Sequence, residues 1–296
     1  MKLAKDIWRP MLIDAPIETI LRAGTIEGFA RHWLPPENFL CFLADPFGLV
    51  RNGRLHVFVE QYDYRTRRGR IECLLFDTAF TLLDRRCVLA EPWHLSYPFV
   101  FEAQGETWML PEAHRSGRLT LYRAAEFPWR WVPAAEIVLD HVAVDATPLF
   151  HDGLWWLLYA SEEPATKKER ALFAAWSERL EGPWHAHSAN PLRCDPSSSR
   201  PGGTPVTIDG RLMLPVQDCS ETYGGAIRPL WIDRLTPGRF VAETGEAIRA
   251  PTALAPFDRG LHTMSAIGGH TLVDVKQRLL SPHSLAVLAR RELGRR

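Results

Sequence analysis

The chain has 296 residues, 46% of them apolar, enough for one large core without disulfide or metal staples. Its 35 basic and 35 acidic side chains cancel to a formal charge of zero, which excludes the basic surface that nucleic-acid binding needs. No run approaches the roughly eighteen apolar residues of a membrane-spanning helix. The five cysteines (Cys41, Cys73, Cys87, Cys194, Cys219) are scattered, odd in number and without C-x-x-C spacing. They read as free thiols in a reducing compartment, so the expected location is the cytoplasm, with no metal site and no cofactor.

From the N-terminus, the apolar stretch of MKLAKDIWRPMLIDAP is broken by Pro10 and Asp14 and fails as a secretory signal. Ile17–Ala23 has the pattern of a turn or two of helix. Beyond it one unit recurs: an apolar strand, a Gly-containing tight turn, and a second strand ending in a polar cluster. The copies are ADPFGLVRNGRLHVFVEQY from Ala44, SYPFVFEAQGETWMLPEAH from Ser96 and VDATPLFHDGLWWLLYASEE from Val144. Two weaker copies follow, RPGGTPVTIDGRLMLPVQD from Arg200 and GLHTMSAIGGHTLVDVKQ from Gly260.

Turns at Gly53, Gly105, Gly153, Gly210 and Gly268 or Gly269 between alternating apolar runs mark five hairpins. Further strands are predicted at Ile71–Asp77, Leu119–Ala124, Ala171–Ser177 and Ile227–Asp233, and fourth strands at Arg86–Ala90, Glu136–Asp140 and Phe240–Ala242. Four short antiparallel strands at a period near fifty residues describe propeller blades. A β-sandwich would not repeat the same hairpin this often. The fold class is therefore all-β, a five-bladed β-propeller. Residues 1–296 are read as a single domain, with blades opening near 42, 94, 142, 198 and 260. The last blade lacks sequence for its outer strands, so the segment 1–40 is expected to close it through Trp8–Asp14.

In an antiparallel hairpin the first residue of the entering strand lies beside the last of the returning one. Counting outward from each turn pairs Asp45 with Glu60, Tyr97 with Glu112, and Asp145 with Ser161 and Glu162. It also pairs Arg200 with Gln217 and Asp218, and His262 with Asp274 and Lys276. Because the first strand of every propeller blade lines the axis, these residues converge on one mouth. Glu162 and Lys276 are read as solvated rim. The run Arg65–Arg70 is read as a solvated loop tip, and His185 with His187 lacks a third ligand for a metal.

The strings WLPP, FLADPF, SYPFVFE, LPEAH, DATPLFHDGLWWLLY, LEGPWHAHSANP, SSRPGG and PVQDCSETYGGAI resemble the N-terminal propeller domain of the glucosamine inositolphosphorylceramide transferase family and its standalone bacterial relatives. The resemblance runs from about Trp8 to about Lys276. The plant members carry a separate glycosyltransferase domain that this sequence lacks. More distantly the chain is similar to the arabinanase, levansucrase and invertase superfamily of five-bladed propellers. That likeness implies Asp45 as nucleophile or base and Asp145 as transition-state support. It also implies a general-acid Glu where this chain has Arg200, which holds its proton too tightly to donate it.

The resulting expectation is a carbohydrate-active protein that makes or breaks a glycosidic bond. Its catalytic candidates are Asp45, Asp145, Glu112 and His262, with Glu112 or His262 as acid. Glu60, Tyr97, Arg200, Gln217, Asp218 and Tyr223 are the substrate-binding candidates, for a carbohydrate or glycoconjugate that Arg200 would suit if anionic. The alternative is a non-catalytic glycan-binding or scaffold module that partners a glycosyltransferase.

Overall fold

The computed structural model describes residues 4–161 and 171–279; Glu162 and the C-terminal run 284–292 lie outside them. Strand β1 (Lys5–Ile13) is followed by helix α1 (Ile17–Ala23) and the short β2 (Arg31–Trp33). The first blade is β3 (Cys41–Arg51), β4 (Arg54–Asp63), β5 (Arg68–Phe76) and β6 (Leu82–Leu89). The second is β7 (Ser96–Ala103), β8 (Glu106–Glu112), β9 (Leu119–Glu126) and β10 (Arg130–Ile137). The third is β11 (Ala143–His151), β12 (Leu154–Ser161) and β13 (Ala171–Ser177), edged by β14 (His185–Ala186) and β15 (Arg193–Cys194).

In the fourth blade the inner strand is split into β16 (Arg200–Pro201) and β17 (Val206–Ile208), both paired with β18 (Arg211–Asp218). The outer strands are β19 (Ala226–Thr236) and β20 (Arg239–Thr244). The fifth blade starts with β21 (Leu261–Ile267) and β22 (His270–Leu279), then takes β1 and β2 from the N-terminus. The ring is thus closed by the N-terminal strand, as the sequence pattern predicts. Its fourth strand, β2, is not visible in that pattern.

The hairpins turn where the sequence places them, with positive φ at Asn52, Gln104, Asp152 and Asp209 immediately before a glycine, the geometry that matches strand twist. Apolar layers fill the spaces between neighbouring blades. Phe47, Phe58, Tyr97 and Phe99 join the first two, and Leu12, Leu43, Val57 and Leu272 join the fifth to the first. Ile17 and Ile20 of α1 pack into the layer of Met11, Met213 and Val273 between the last two blades. No helix among the described residues is long and apolar enough to cross a membrane.

One local device recurs at the start of the inner strands. The β3–β4 register slips between Ala44 and Phe47, β7–β8 between Ser96 and Phe99, and β11–β12 between Val144 and Thr147. At each bulge the residue Asp45 (φ 49°), Tyr97 (φ 45°) or Asp145 (φ 51°) adopts the left-handed conformation. Non-glycine residues held there are uncommon, and bulges re-aim side chains next to functional sites. In the fourth blade the break falls at Gly202–Gly203 instead. A Cβ on Gly203 would sit 1.8 Å from the Met264 carbonyl oxygen. Gly203→Ala should therefore lose about 3 kcal/mol or more of stability, read as a lowered urea midpoint; an unchanged midpoint would refute this close packing of blades.

Candidate functional site

A cavity of about 310 Å³ opens at the axial mouth, lined by Asp45, Glu60, His94, Ser96, Glu112, His114, Arg115, Val144, Asp145, Arg200 and Tyr223. Six of these, Asp45, Glu60, Glu112, Asp145, Arg200 and Tyr223, are residues the hairpin counting or the family resemblance singled out. Asp45 and Asp145 come from bulges of the first strands, Glu60 and Glu112 from the returning strands β4 and β8, Arg200 from β16 and Tyr223 from the loop after β18.

The four carboxylates are buried, yet each is held differently. Asp45 accepts hydrogen bonds from the Tyr97 N–H (3.0 Å) and the Thr263 hydroxyl (3.2 Å), and His262 Nε2 lies 3.4 Å away. Burial raises its pKa, and the neighbouring Asp274 charge adds to the rise against the opposing pull of His262. Asp145 accepts from Arg200 Nε at 2.7 Å and Gln217 Nε2 at 2.9 Å. Burial still pushes it up to about 7, against the pull of Arg200 and with the help of the Glu112 and Asp45 charges.

Glu112 and Glu60 move in opposite directions. Burial would raise Glu112, but its hydrogen bond to His114 and the His114 and Arg200 charges outweigh that and hold it at about 2. For Glu60, burial comes first and the charges of Asp45, Glu112, Asp274 and Asp145 act in the same direction, so its pKa stands well above the ordinary range. Its nearest basic group is His94 Nε2 at 3.7 Å, too far for a hydrogen bond. His94 Nδ1 accepts the Gly69 N–H at 2.8 Å, and burial lowers its pKa to about 4. The imidazole is therefore neutral, with its remaining proton on Nε2 facing Glu60.

Other candidates stand behind or beside the mouth. His262 is buried behind Asp45, stacked on Trp8 with ring centroids 3.7 Å apart and hydrogen-bonded through Nδ1 to Asp274 at 2.7 Å. Burial disfavours its charged form, but Asp274 and Asp45 outweigh burial and raise its pKa. Asp45, His262 and Asp274 bring three potential metal-ligand atoms within 4.8 Å of one another. Both Asp274 oxygens already accept N–H groups, however, from Asp45 on one side and from His262 and Thr263 on the other. The cluster is built as a hydrogen-bonded relay that fixes Asp45.

Tyr97 crosses the channel below the mouth. Its hydroxyl meets Thr147 Oγ1 (2.9 Å) and the Gly203 N–H (2.9 Å), and its ring packs edge-on against Phe47. It is not among the residues that line the cavity. Gln217 lies beneath Asp145, bonded also to the Pro201 carbonyl. Asp218 is not in the mouth: its carboxylate takes Ser220 and Arg228 in a separate cavity. Strand alternation explains this, since Gln217 faces the channel and its neighbour must face away. Arg200 is neutralised by Asp145 at 2.7 Å and Glu112 at 3.9 Å, so it has no spare charge for an anion.

Lys276, expected at a solvated rim, is instead buried. Its ammonium donates to the Tyr223 carbonyl and to Thr222 Oγ1 at 3.4 Å, tying down the loop that carries Tyr223 into the mouth. The residues missed by counting are His94, Ser96, His114 and Arg115. His94 and His114 sit two residues outside the hairpin ends; the patterns WHLSYP and LPEAH carry them, but no pairing rule reaches them.

Comparison with known proteins follows the same lines. Residues 35–288 match the family model described as glucosamine inositolphosphorylceramide transferase 1, N-terminal. A glucosamine inositolphosphorylceramide transferase 1 of Oryza sativa subsp. indica is 38% identical over 206 residues, 68% of this chain and 27% of that protein. One from Arabidopsis thaliana is 33% identical over 257 residues, 86% of this chain and 32% of that protein. The chain thus spans less than a third of the curated relatives it matches. Among solved structures, Zg3597, a family 117 glycoside hydrolase of Zobellia galactanivorans, superposes with a TM-score of 0.58 at 13% identity, over 84% of this chain and 90% of that one. The α-L-arabinofuranosidase PaAbf62A of Podospora anserina gives 0.55 at 10% identity, over 83% and 94%. These last likenesses are of fold, whereas the match over most of the sequence places the chain in the family of the glucosamine inositolphosphorylceramide transferase 1 N-terminal region.

Proposed function

We propose that the mouth makes or breaks a glycosidic bond in a carbohydrate or glycoconjugate. The observation that carries this reading is the gathering of four buried carboxyl groups, each with different partners, in one small cavity. Glu112 is held at about 2 and Asp145 at about 7, while Glu60 is raised well above its ordinary value. Carboxyls whose pKa values are pushed apart are how one site supplies acid and base together. Asp45 acts as base or nucleophile, fixed by Tyr97, Thr263 and His262. Glu60 supplies the proton for the leaving oxygen, the role for which Glu112 is too acidic and His262 too deeply placed. Asp145 with Arg200 shapes the field between them.

Glu60→Gln tests the acid. Turnover of unactivated glycosides should fall about 10²- to 10⁴-fold, while nitrophenyl glycosides, whose leaving groups need no proton, should retain most activity. Equal loss on both substrates would remove Glu60 from this role. A second readout is stability. A carboxyl whose folded pKa is raised contributes stability that is fully present below its ordinary value near 4.5 and lost as pH rises toward the folded value. Glu60→Gln abolishes that loss, so its melting temperature at neutral pH should exceed that of the parent. A drop would contradict the raised pKa.

The second reading, a glycan-binding or scaffold module beside a glycosyltransferase, is favoured by one fact: the matched family model is the N-terminal part of proteins named as transferases. Binding of a glycan at the mouth with no turnover in any glycoside panel would support it over catalysis.

A further inference from the structure

A cavity of about 770 Å³ lies beside the mouth on the first blade. It is walled by Arg65, Arg68 and Arg70, the run the sequence reads as a solvated tip. Gly69 lines this cavity and its backbone packs against Glu60 of the mouth. A Cβ there would sit 2.3 Å from the Leu95 carbonyl oxygen and 2.5 Å from Glu60 Oε1, so no side chain fits at this position. Over the lip, Arg115 of the mouth donates to the Arg67 carbonyl at 3.3 Å.

The floor of this cavity is a fixed polar array. Glu72 accepts from Arg70 at 2.7 Å and from Arg85 Nε at 2.7 Å. Arg85 reaches on to Glu37, which also takes Gln61 Nε2 at 3.2 Å. Glu72 and Glu37 are almost wholly buried, with side chains 5% and 9% exposed. Two guanidinium groups thus cancel two carboxylates. With the charges of Arg70, Arg85, Glu72 and Glu37 paired in this way, the N–H edges and oxygen lone pairs that remain match the donors and acceptors of vicinal hydroxyls. An array already locked by ion pairs loses little further freedom on binding.

We propose that this cavity is a second subsite for neutral, hydroxyl-rich sugar units, holding the part of an oligosaccharide that continues past the bond at the mouth. The inference rests on the reading of the mouth as a glycan site. A mouth of about 310 Å³ and a neighbour of about 770 Å³ fall in the size range of ligand pockets. Lying on either side of Gly69, the two together are sized for a substrate of several units.

The test is calorimetric titration of the whole chain with mono-, di-, tri- and tetrasaccharides of the arabinose, xylose, mannose and galactose series. In at least one series the trisaccharide should bind about 10- to 100-fold more tightly than the monosaccharide, equally in low and high salt. Arg70→Ala, at a half-exposed position, and Cys87→Trp, which fills the cavity from an exposed wall position, should each erase the gain and leave monosaccharide binding unchanged. Equal affinity along every series overturns the subsite, as does a gain that both variants leave intact or one that disappears in high salt. A chain-length gain without turnover keeps the subsite and sinks the catalytic reading; turnover without the gain does the reverse. If no series binds, both fall.

Discussion

Asp45→Asn should lower turnover on the order of 10³-fold or more while leaving the fold intact. The two halves of this expectation come from different parts of the same residue. Asp45 stands at φ 49° in the bulge that opens the first blade, and asparagine tolerates the left-handed region about as well as aspartate. The Asn amide oxygen can still accept from the Tyr97 N–H or the Thr263 hydroxyl, both of which the carboxylate now takes. What the amide lacks is charge, and with it basicity and nucleophilicity toward a sugar carbon. It also leaves the His262 imidazolium with Asp274 as its adjacent counter-charge, so His262 should titrate at lower pH in the variant. NMR titration of the histidine ring against pH reads this directly. Asp45→Ala is the wrong variant, because it also removes the side-chain acceptors and places alanine at positive φ. If Asp45→Asn keeps its activity on every substrate the parent turns over, Asp45 is not the reacting group. If activity vanishes together with the cooperative melt, the loss is one of folding and not of the reacting group.

The fold is legible because turn chemistry and strand alternation are local properties. Asn52–Gly53, Asp152–Gly153 and Asp209–Gly210 announce their hairpins in two residues each, and counting outward from them gathers most of the mouth. The bulges are not legible. Counting assumes an unbroken ladder, yet in the structure Ala44, not Asp45, opposes Glu60, and Ser96, not Tyr97, opposes Glu112. That one-residue slip is what turns Asp45 and Asp145 toward the axis. The fourth strand of the second blade is expected at Glu136–Asp140 but runs Arg130–Ile137, since the turn at Phe127–Trp129 has no glycine to mark it. The sequence also leaves the choice of acid open. Glu60 and Glu112 are alike as residue types, and their protonation is set by whether a basic partner lies within reach. His114 hydrogen-bonds Glu112 while His94 stays neutral and too distant for Glu60, and both histidines come from segments no hairpin rule addresses.

Removing residues 1–14 should abolish cooperative folding, not trim one edge strand. β1 pairs with β22 from Lys5↔Leu279 to Ile13↔Thr271, and with β2 through Met11, Leu12 and Ile13. Its side chains serve different layers: Met11 and Ile13 face the fourth blade's side, Leu12 the first blade's, and Trp8 stacks on His262. Truncating one such buried residue costs about 2–5 kcal/mol, so losing all four removes an amount comparable to the whole of the 5–15 kcal/mol that typically separates folded from unfolded chains. The deletion also leaves β22 with an open edge, ready to pair with another chain. Circular dichroism of the shortened chain should show no sigmoidal melt, with aggregation rising with concentration. Because the missing element is a single strand, a peptide of residues 1–14 supplied in trans should restore part of the transition by folding together with the shortened chain through strand addition. A shortened chain that melts at the parent temperature would mean that ring closure contributes nothing to stability. Rescue by the peptide ties stability to the mouth as well, because the returning Trp8 is the surface on which His262, and through it Asp45, is held.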